Sequence, residues 1–394
     1  MALVDLWLSS RDQLMDKHVQ QIIAFAGDGR LLDGGLASRE FRAFLGQVPS
    51  AMLIKYAEEC LSDSFSGSGL ALQDTVNEIG RRLGFEVRHG RYRGVTGQPG
   101  FDGLWKSSDG HALVVEVKTT DAYRIDLDTV AGYRRALIKT ADISEEDSSV
   151  LIVVGREDTG DLEAQIRGSR HAWDVRLIST EALSRLLVVK EEVEDPQIQK
   201  RIHAVLIPRE FTRLDEIVDV LFSTAEDIKQ EQVNETGPEE ETVPEAGHTP
   251  RFVPVAFHEA CVHRLEQFLS TPLVKWSRAT FHASDDSVRV ICIVSREHHR
   301  GGAPSYWFAF HPHQNEFLAS GAISNIAFGC GSEERLLLIP YDDFTNWLDG
   351  MNETSNEDRS YKHVSITRTG ERFELVRRQE FPRIDLTKYV LVPK

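Results

Sequence analysis

Asp102, Glu116 and Lys118 are the residues of this 394-residue chain best able to act together on a substrate. In Leu113–Lys118 a strand would send Leu113, Val115 and Val117 to one side and Val114, Glu116 and Lys118 to the other. A carboxylate and an ammonium stay on so apolar a strand only when they are paired or bound to a cation. Just upstream, Ser108-Asp109-Gly110 suits a three-residue hairpin loop with glycine in the left-handed position. If Ser107 and His111 close that loop, Asp102 stands directly opposite Glu116, with Cβ atoms about 5 Å apart. Two facing carboxylates repel one another unless a cation lies between them. Oxygen-only ligation of this kind suits Mg²⁺, with Mn²⁺ able to substitute.

Several elements must position these groups. The preceding stretch predicts a helix with Leu72, Val76, Ile79 and Leu83 on one face and Asp74 and Glu78 about opposite. Glu78 is expected to reach the site directly or through a bound water. Strands are expected at 85–88, 101–106 and 112–119, then a helix at 129–138 and a strand at 150–154. A helix at 162–167, a strand at 175–178 and a helix at 181–187 follow. That order predicts an α/β domain over 66–190, a mixed sheet flanked by helices on both faces. Residues 1–65 read as a helical N-terminal cap, with apolar stripes such as Val19, Ile22, Ile23 and Ala26, and 191–229 as a helical connector. Residues 230–250 are acidic, contain Pro238, Pro244 and Pro250, and predict a disordered linker. Residues 251–394 predict a separate α+β C-terminal domain, opening with a helix at 255–269.

The spacing Asp102–x13–Glu116–x–Lys118, with Glu78 on the helix before it, resembles the PD-(D/E)xK nuclease superfamily over about residues 70–190. The order helix, three strands, helix, strand is similar to its core, and the strand and helix within 172–187 resemble restriction-endonuclease-like members. The resemblance implies that Asp102 and Glu116 bind Mg²⁺, that Lys118 orients or activates water and steadies charge on the phosphate, and that Glu78 is a supporting acid. Tyr133, on the following helix, sits where some members carry an extra active-site residue. Phe101 stands in place of the proline that names the motif, and that proline is not a ligand.

Net charge at first speaks against nucleic acid, because it is -17. The excess is segregated, however. Between Glu226 and Glu245 eight acids face only Lys229, whereas Arg81–Arg93 holds five arginines against Glu86 alone. Arg88, Arg91 and Arg93 are therefore candidate phosphate contacts, with an ordinary exposed edge as the alternative. Gly94, Gly97, Gly100 and Gly103 match neither phosphate-loop pattern and read as a flexible loop. His258 and His263 are five apart and do not share a helix face, so with Cys261 they do not predict a metal site. His298, His299, His311 and His313 read as loop histidines. Tyr306, Trp307, Phe308 and Phe310 read as packing, with a base-stacking platform as the alternative. Cys60, Cys261, Cys292 and Cys330 are scattered and form no CxxC pair, which speaks against a cysteine-based zinc site.

No apolar run approaches the ~18 residues of a membrane span, and the N-terminus lacks the basic region of a secretory signal. The expectation is a cytoplasmic, Mg²⁺-dependent endonuclease acting on DNA, placed by its resemblance in restriction or anti-phage defence. An inactive nuclease-fold module that binds nucleic acid or a protein partner remains an alternative, as does a nuclease for RNA or repair intermediates. The C-terminal domain is expected to recognise the target or dock a partner, and a homodimer is left open.

Overall fold

The computed structural model describes residues 3–63, 65–94, 99–119, 125–155, 160–193, 197–208, 254–300, 303–355 and 360–392. The chain divides into two compact units, Met1–Asp227 and Ile228–Lys394. The expected linker at 230–250 and most of the connector lie outside the described residues.

The first unit begins with five helices: α1 (Leu3–Ser9), α2 (Arg11–Met15), α3 (Val19–Phe25), α4 (Leu36–Leu45) and α5 (Ser50–Ser62). Helix α6 (Ser68–Arg82) leads to β1 (Glu86–His89), β2 (Gly103–Lys106) and β3 (Ala112–Lys118). Then come α7 (Leu127–Lys139), β4 (Ser148–Val154), α8 (Gly160–Arg167), β5 (Val175–Ser179), α9 (Thr180–Glu192) and α10 (Ile198–Leu206). The five strands form one sheet in chain order. Strands β1, β2 and β3 pair antiparallel, whereas β3, β4 and β5 run parallel. The unit is thus mixed α/β.

Period-two alternation explains how this sheet carries helices on both faces. Leu113, Val115, Leu151 and Val153 pack with α6, α9 and the N-terminal helices, together with Trp105 of β2. Val114, Val150, Ile152 and Val154 turn the other way and pack with Leu104 and with Leu127, Val130 and Leu137 of α7. The first of these cores runs unbroken from Leu3 to Ile207. Residues read as a separate cap and connector therefore share the core beneath the sheet. The physical reason is that α6 is buried on nearly every side, so it needs α4, α5 and α9 around it.

The second unit holds α11 (Pro254–Leu269) and two sheets. One runs β12 (Leu336–Pro340), β11 (Ile323–Cys330), β8 (Val288–Ser295), β7 (Thr280–His282) and β6 (Val274–Lys275). The other runs β16 (Ile384–Asp385), β15 (Arg372–Val376), β14 (Ser360–Thr369), β10 (Ala303–Phe310) and β9 (His298–Arg300), with β13 (Asn352–Ser355) also paired to β14. Phe308, Phe310, Val364 and Ile366 of one sheet meet Ile291, Ile326 and Phe328 of the other. Cys261 and Leu265 of α11 cover the first sheet's remaining face. Among the described residues no helix is long and apolar enough to cross a membrane.

Candidate active site

The hairpin between β2 and β3 closes as its residues require. Ser107 N–H donates to His111 O at 2.8 Å, and Gly110 takes φ +90°, a conformation that favours glycine. Gly103 pairs with Val115 and Leu104 with Val114, where the ladder ends. Asp102, one residue beyond β2, donates its N–H to Val115 O at 3.0 Å and lies near enough to Glu116 to feel its charge. Leu104 and Val114 both face α7. By alternation Asp102, Glu116 and Lys118 face it too.

Lys118 Nζ donates to Glu116 Oε1 at 2.6 Å, and Val117 N–H donates to Asp102 Oδ2 at 2.7 Å. Glu116 is buried, and its Oε2 has no hydrogen-bond partner. Burial, then the charge of Glu116, pushes the Asp102 carboxyl up to about 7. Burial also raises Glu116, against the pull of Lys118. Burial by itself would lower Lys118, but its bond to Glu116 outweighs this and holds the ammonium above its usual range. Tyr133 of α7 joins the group. Its phenol is raised first by burial and then by the charges of Glu116 and Asp102, and a Cβ at Gly100 would lie 3.2 Å from its hydroxyl.

Helix α6 does not deliver Glu78 to this group. It packs on the opposite face of the sheet, with Trp105. Both Glu78 oxygens are taken there: Arg81 Nε donates to Oε2 at 2.8 Å, and Arg81 Nη2 and Arg82 Nε donate to Oε1 at 2.7 and 3.0 Å. Burial resists its ionisation, but Arg82 and Arg81 hold the carboxyl below its ordinary range. Arg82 in turn donates to Leu45 O and Ser50 Oγ. Glu78 thus belongs to a buried ion-pair cluster that joins α6 to the helices before it. What α6 does present to Asp102 is Gln73 and Asn77, two amides that a search for charged residues passes over.

No protein-family profile matches this chain, and no curated protein does.

The three candidate phosphate arginines separate. Arg88 lies opposite Leu104, on the face of the acids, with its guanidinium 5.7 Å from the Phe101 ring centroid and 3.5 Å from Asp142. Arg91 and Arg93 are exposed on a segment tied to the helical side. There Asp33 accepts from the Tyr92 and Arg93 N–H groups, and Tyr92 donates to Asp74. Only Arg88 shares the face of Asp102.

A cation fits the acid pair on two observations: the partnerless Glu116 oxygen and the neighbouring carboxylates. Among the described residues no group of three or more His, Cys, Asp or Glu side chains is gathered to hold a metal. Mg²⁺ commonly takes one or two carboxylates and completes its shell with water and substrate phosphate. In the second unit, His258 Nε2 donates to Cys292 O at 2.9 Å while His263 contacts Gln267, so these histidines do not converge. Tyr306, Phe308 and Phe310 are core residues, and Trp307 packs outside the core against Tyr361 and His363.

Proposed function

We propose that this protein is a metal-dependent nuclease hydrolysing phosphodiesters, DNA first among them, with a restriction-endonuclease-like fold in its first unit. The observation that carries the reading is the Asp102–Glu116 pair with Lys118 bonded beside it at 2.6 Å, at the end of a buried strand. The sheet order, antiparallel through β3 and parallel beyond it, supports the fold assignment. Four buried, unpaired cysteines support the cytoplasm as its compartment.

In this reading Asp102 and Glu116 are the residues that would hold Mg²⁺. The ion supplies polarisation of the phosphate and a more acidic water. Lys118 stays an ammonium, because Glu116 holds its proton in place. It therefore orients water and offsets charge on the phosphate, and does not act as a base. The Tyr133 hydroxyl would donate a hydrogen bond to a non-bridging phosphate oxygen and keep its proton, and Arg88 would hold the neighbouring phosphate. The restriction or anti-phage setting and target selection by the second unit rest on the resemblance of the motif and belong to the same proposal.

The test is incubation with plasmid, single-stranded DNA and RNA in Mg²⁺ or Mn²⁺, with a chelator control. Cleavage should fall at least ~10²-fold in Asp102→Ala, Glu116→Ala and Lys118→Ala. Full cleavage by any of these folded variants refutes the assignment. Absence of cleavage on every substrate favours a binding module.

A further inference from the structure

The backbone of Asp102 is held by an arrangement that folding of the sheet does not require. Its carbonyl oxygen accepts from three donors: Gly90 N–H at 2.9 Å, Asn77 Nδ2 at 2.9 Å and Gln73 Nε2 at 3.1 Å. A carbonyl oxygen has two lone pairs, so three donors more than saturate it. The first is ordinary strand pairing. The other two come from residues one turn apart on α6, both almost fully buried.

The orientation of Asn77 is determined by its surroundings. Its Oδ1 accepts from Trp105 Nε1 at 2.8 Å, and an indole N–H can only donate. The amide nitrogen must therefore face the Asp102 carbonyl. The chain makes room for this contact twice. A Cβ at Gly103 would lie 2.1 Å from Asn77 Oδ1, and one at Gly90 would lie 1.8 Å from Phe101 O. Two buried amides and two glycines thus converge on a single peptide group. On the other side, Val117 N–H fixes one oxygen of the same residue's carboxylate. Asp102 is gripped from α6 through its carbonyl and from β3 through its side chain.

We infer that Gln73 and Asn77 are positioning residues for the metal site, setting the separation of the Asp102 and Glu116 carboxylates that a divalent cation must span. The inference rests on the nuclease reading but concerns residues which that reading does not use. Partners that orient a ligand from behind commonly change metal affinity ~10–100-fold. Gln73→Met is the cleanest probe. It removes one of three donors and leaves the carbonyl satisfied, and Gln73 makes no other side-chain bond among the described residues. Asn77→Asp keeps the acceptor for Trp105 but turns an acceptor oxygen toward the carbonyl.

Mn²⁺ binding to the full-length protein is measured by calorimetry, with circular dichroism confirming the fold. Cleavage is measured as a function of Mn²⁺, and DNA binding in chelator. Gln73→Met should bind Mn²⁺ ~10-fold more weakly and need correspondingly more for half-maximal cleavage, with kcat restored at saturation and DNA binding in chelator unchanged. Asn77→Asp should lose more, and if it does not fold, Gln73→Met decides. If wild type binds Mn²⁺ and Asp102→Asn abolishes it, yet folded Gln73→Met matches wild type within twofold, the positioning role is refuted and the nuclease reading stands. If wild type binds no Mn²⁺, both fall together.

Discussion

Replacing Asp102 by asparagine should abolish cleavage and make the metal-free protein more stable, in a way that depends on pH. The Asp102 carboxyl is pushed up to about 7 in the folded chain, from 3.8. In the unfolded chain it ionises near 4. Between those values the unfolded chain has released its proton and the folded chain has not, so stability falls as pH rises from about 4 to about 7. Above 7 the cost is complete. Three units at ~1.4 kcal/mol each set a ceiling of about 4 kcal/mol, and solvent screening at this half-buried position reduces it to about 2. For a unit of this size that corresponds to ~4–8 °C in melting temperature. Asparagine keeps an acceptor for Val117 N–H and carries no charge to bury. In chelator, the melting temperature of Asp102→Asn minus that of wild type should be near zero at pH 4, widen to pH 7 and stay level to pH 8.5. Added Mg²⁺ should close the gap by stabilising wild type alone. Differential scanning calorimetry at five pH values tests it. A gap independent of pH, or a variant less stable at pH 8, refutes the argument that the acid pair is held together against its own repulsion.

Glu78→Gln should destabilise the first unit by ~3–5 kcal/mol in urea unfolding, because it strands Arg82 in the interior; a cost below ~1 kcal/mol would contradict the ion-pair reading. Lys190 is fully buried, and burial, opposed by the charge of Glu191 and aided by that of Arg82, pushes it down to about 7. An unfolded lysine keeps its proton to ~10, so this residue makes stability rise between pH 7 and 10. Lys190→Met should remove that slope and stabilise the unit by up to about 4 kcal/mol at pH 7, and an unchanged slope in urea titrations at pH 7 and 9 counts against it. Gly90→Ala, whose Cβ would meet Phe101 O at 1.8 Å, should yield no folded first unit. Gly110→Ala, with open space and φ +90°, should cost only ~1 kcal/mol by the same measurement.

The hairpin was legible in the sequence because its information is local. A glycine at the third loop position and the parity of a strand are enough to set Gly103 against Val115 and so bring Asp102 near Glu116. The role of α6 was not legible, for a physical reason. Amphipathic reasoning assumes one dry face and one wet face, whereas Gln73, Asp74, Asn77, Glu78 and Arg82 are all buried here, and each is bonded. A polar residue in such a helix reports a partner, and the partner lies far along the chain. Strand β11 carries a weak sequence signal for a related reason. Ala327 and Gly329 offer little hydrophobic signal, yet a Cβ at Gly329 would stand 3.0 Å from Cys261 Sγ, so small residues are what the overlying helix demands. The packing expected of the aromatics in β10 divides by alternation, with Tyr306 and Phe308 in the core and Trp307 outside it against Tyr361 and His363.

The placement of Glu116 and Lys118 would also govern how the proposed activity is lost on heating. They close a strand whose first five residues are buried and which is paired on both sides. Amides in such a strand exchange with solvent only through opening of the whole cooperative unit, unlike those of frayed ends. The pair therefore has no partly melted form of its own. Inactivation on heating should follow the cooperative unfolding of the first unit, with the Val114 and Val115 amides, within two residues of Glu116, exchanging only on that unfolding.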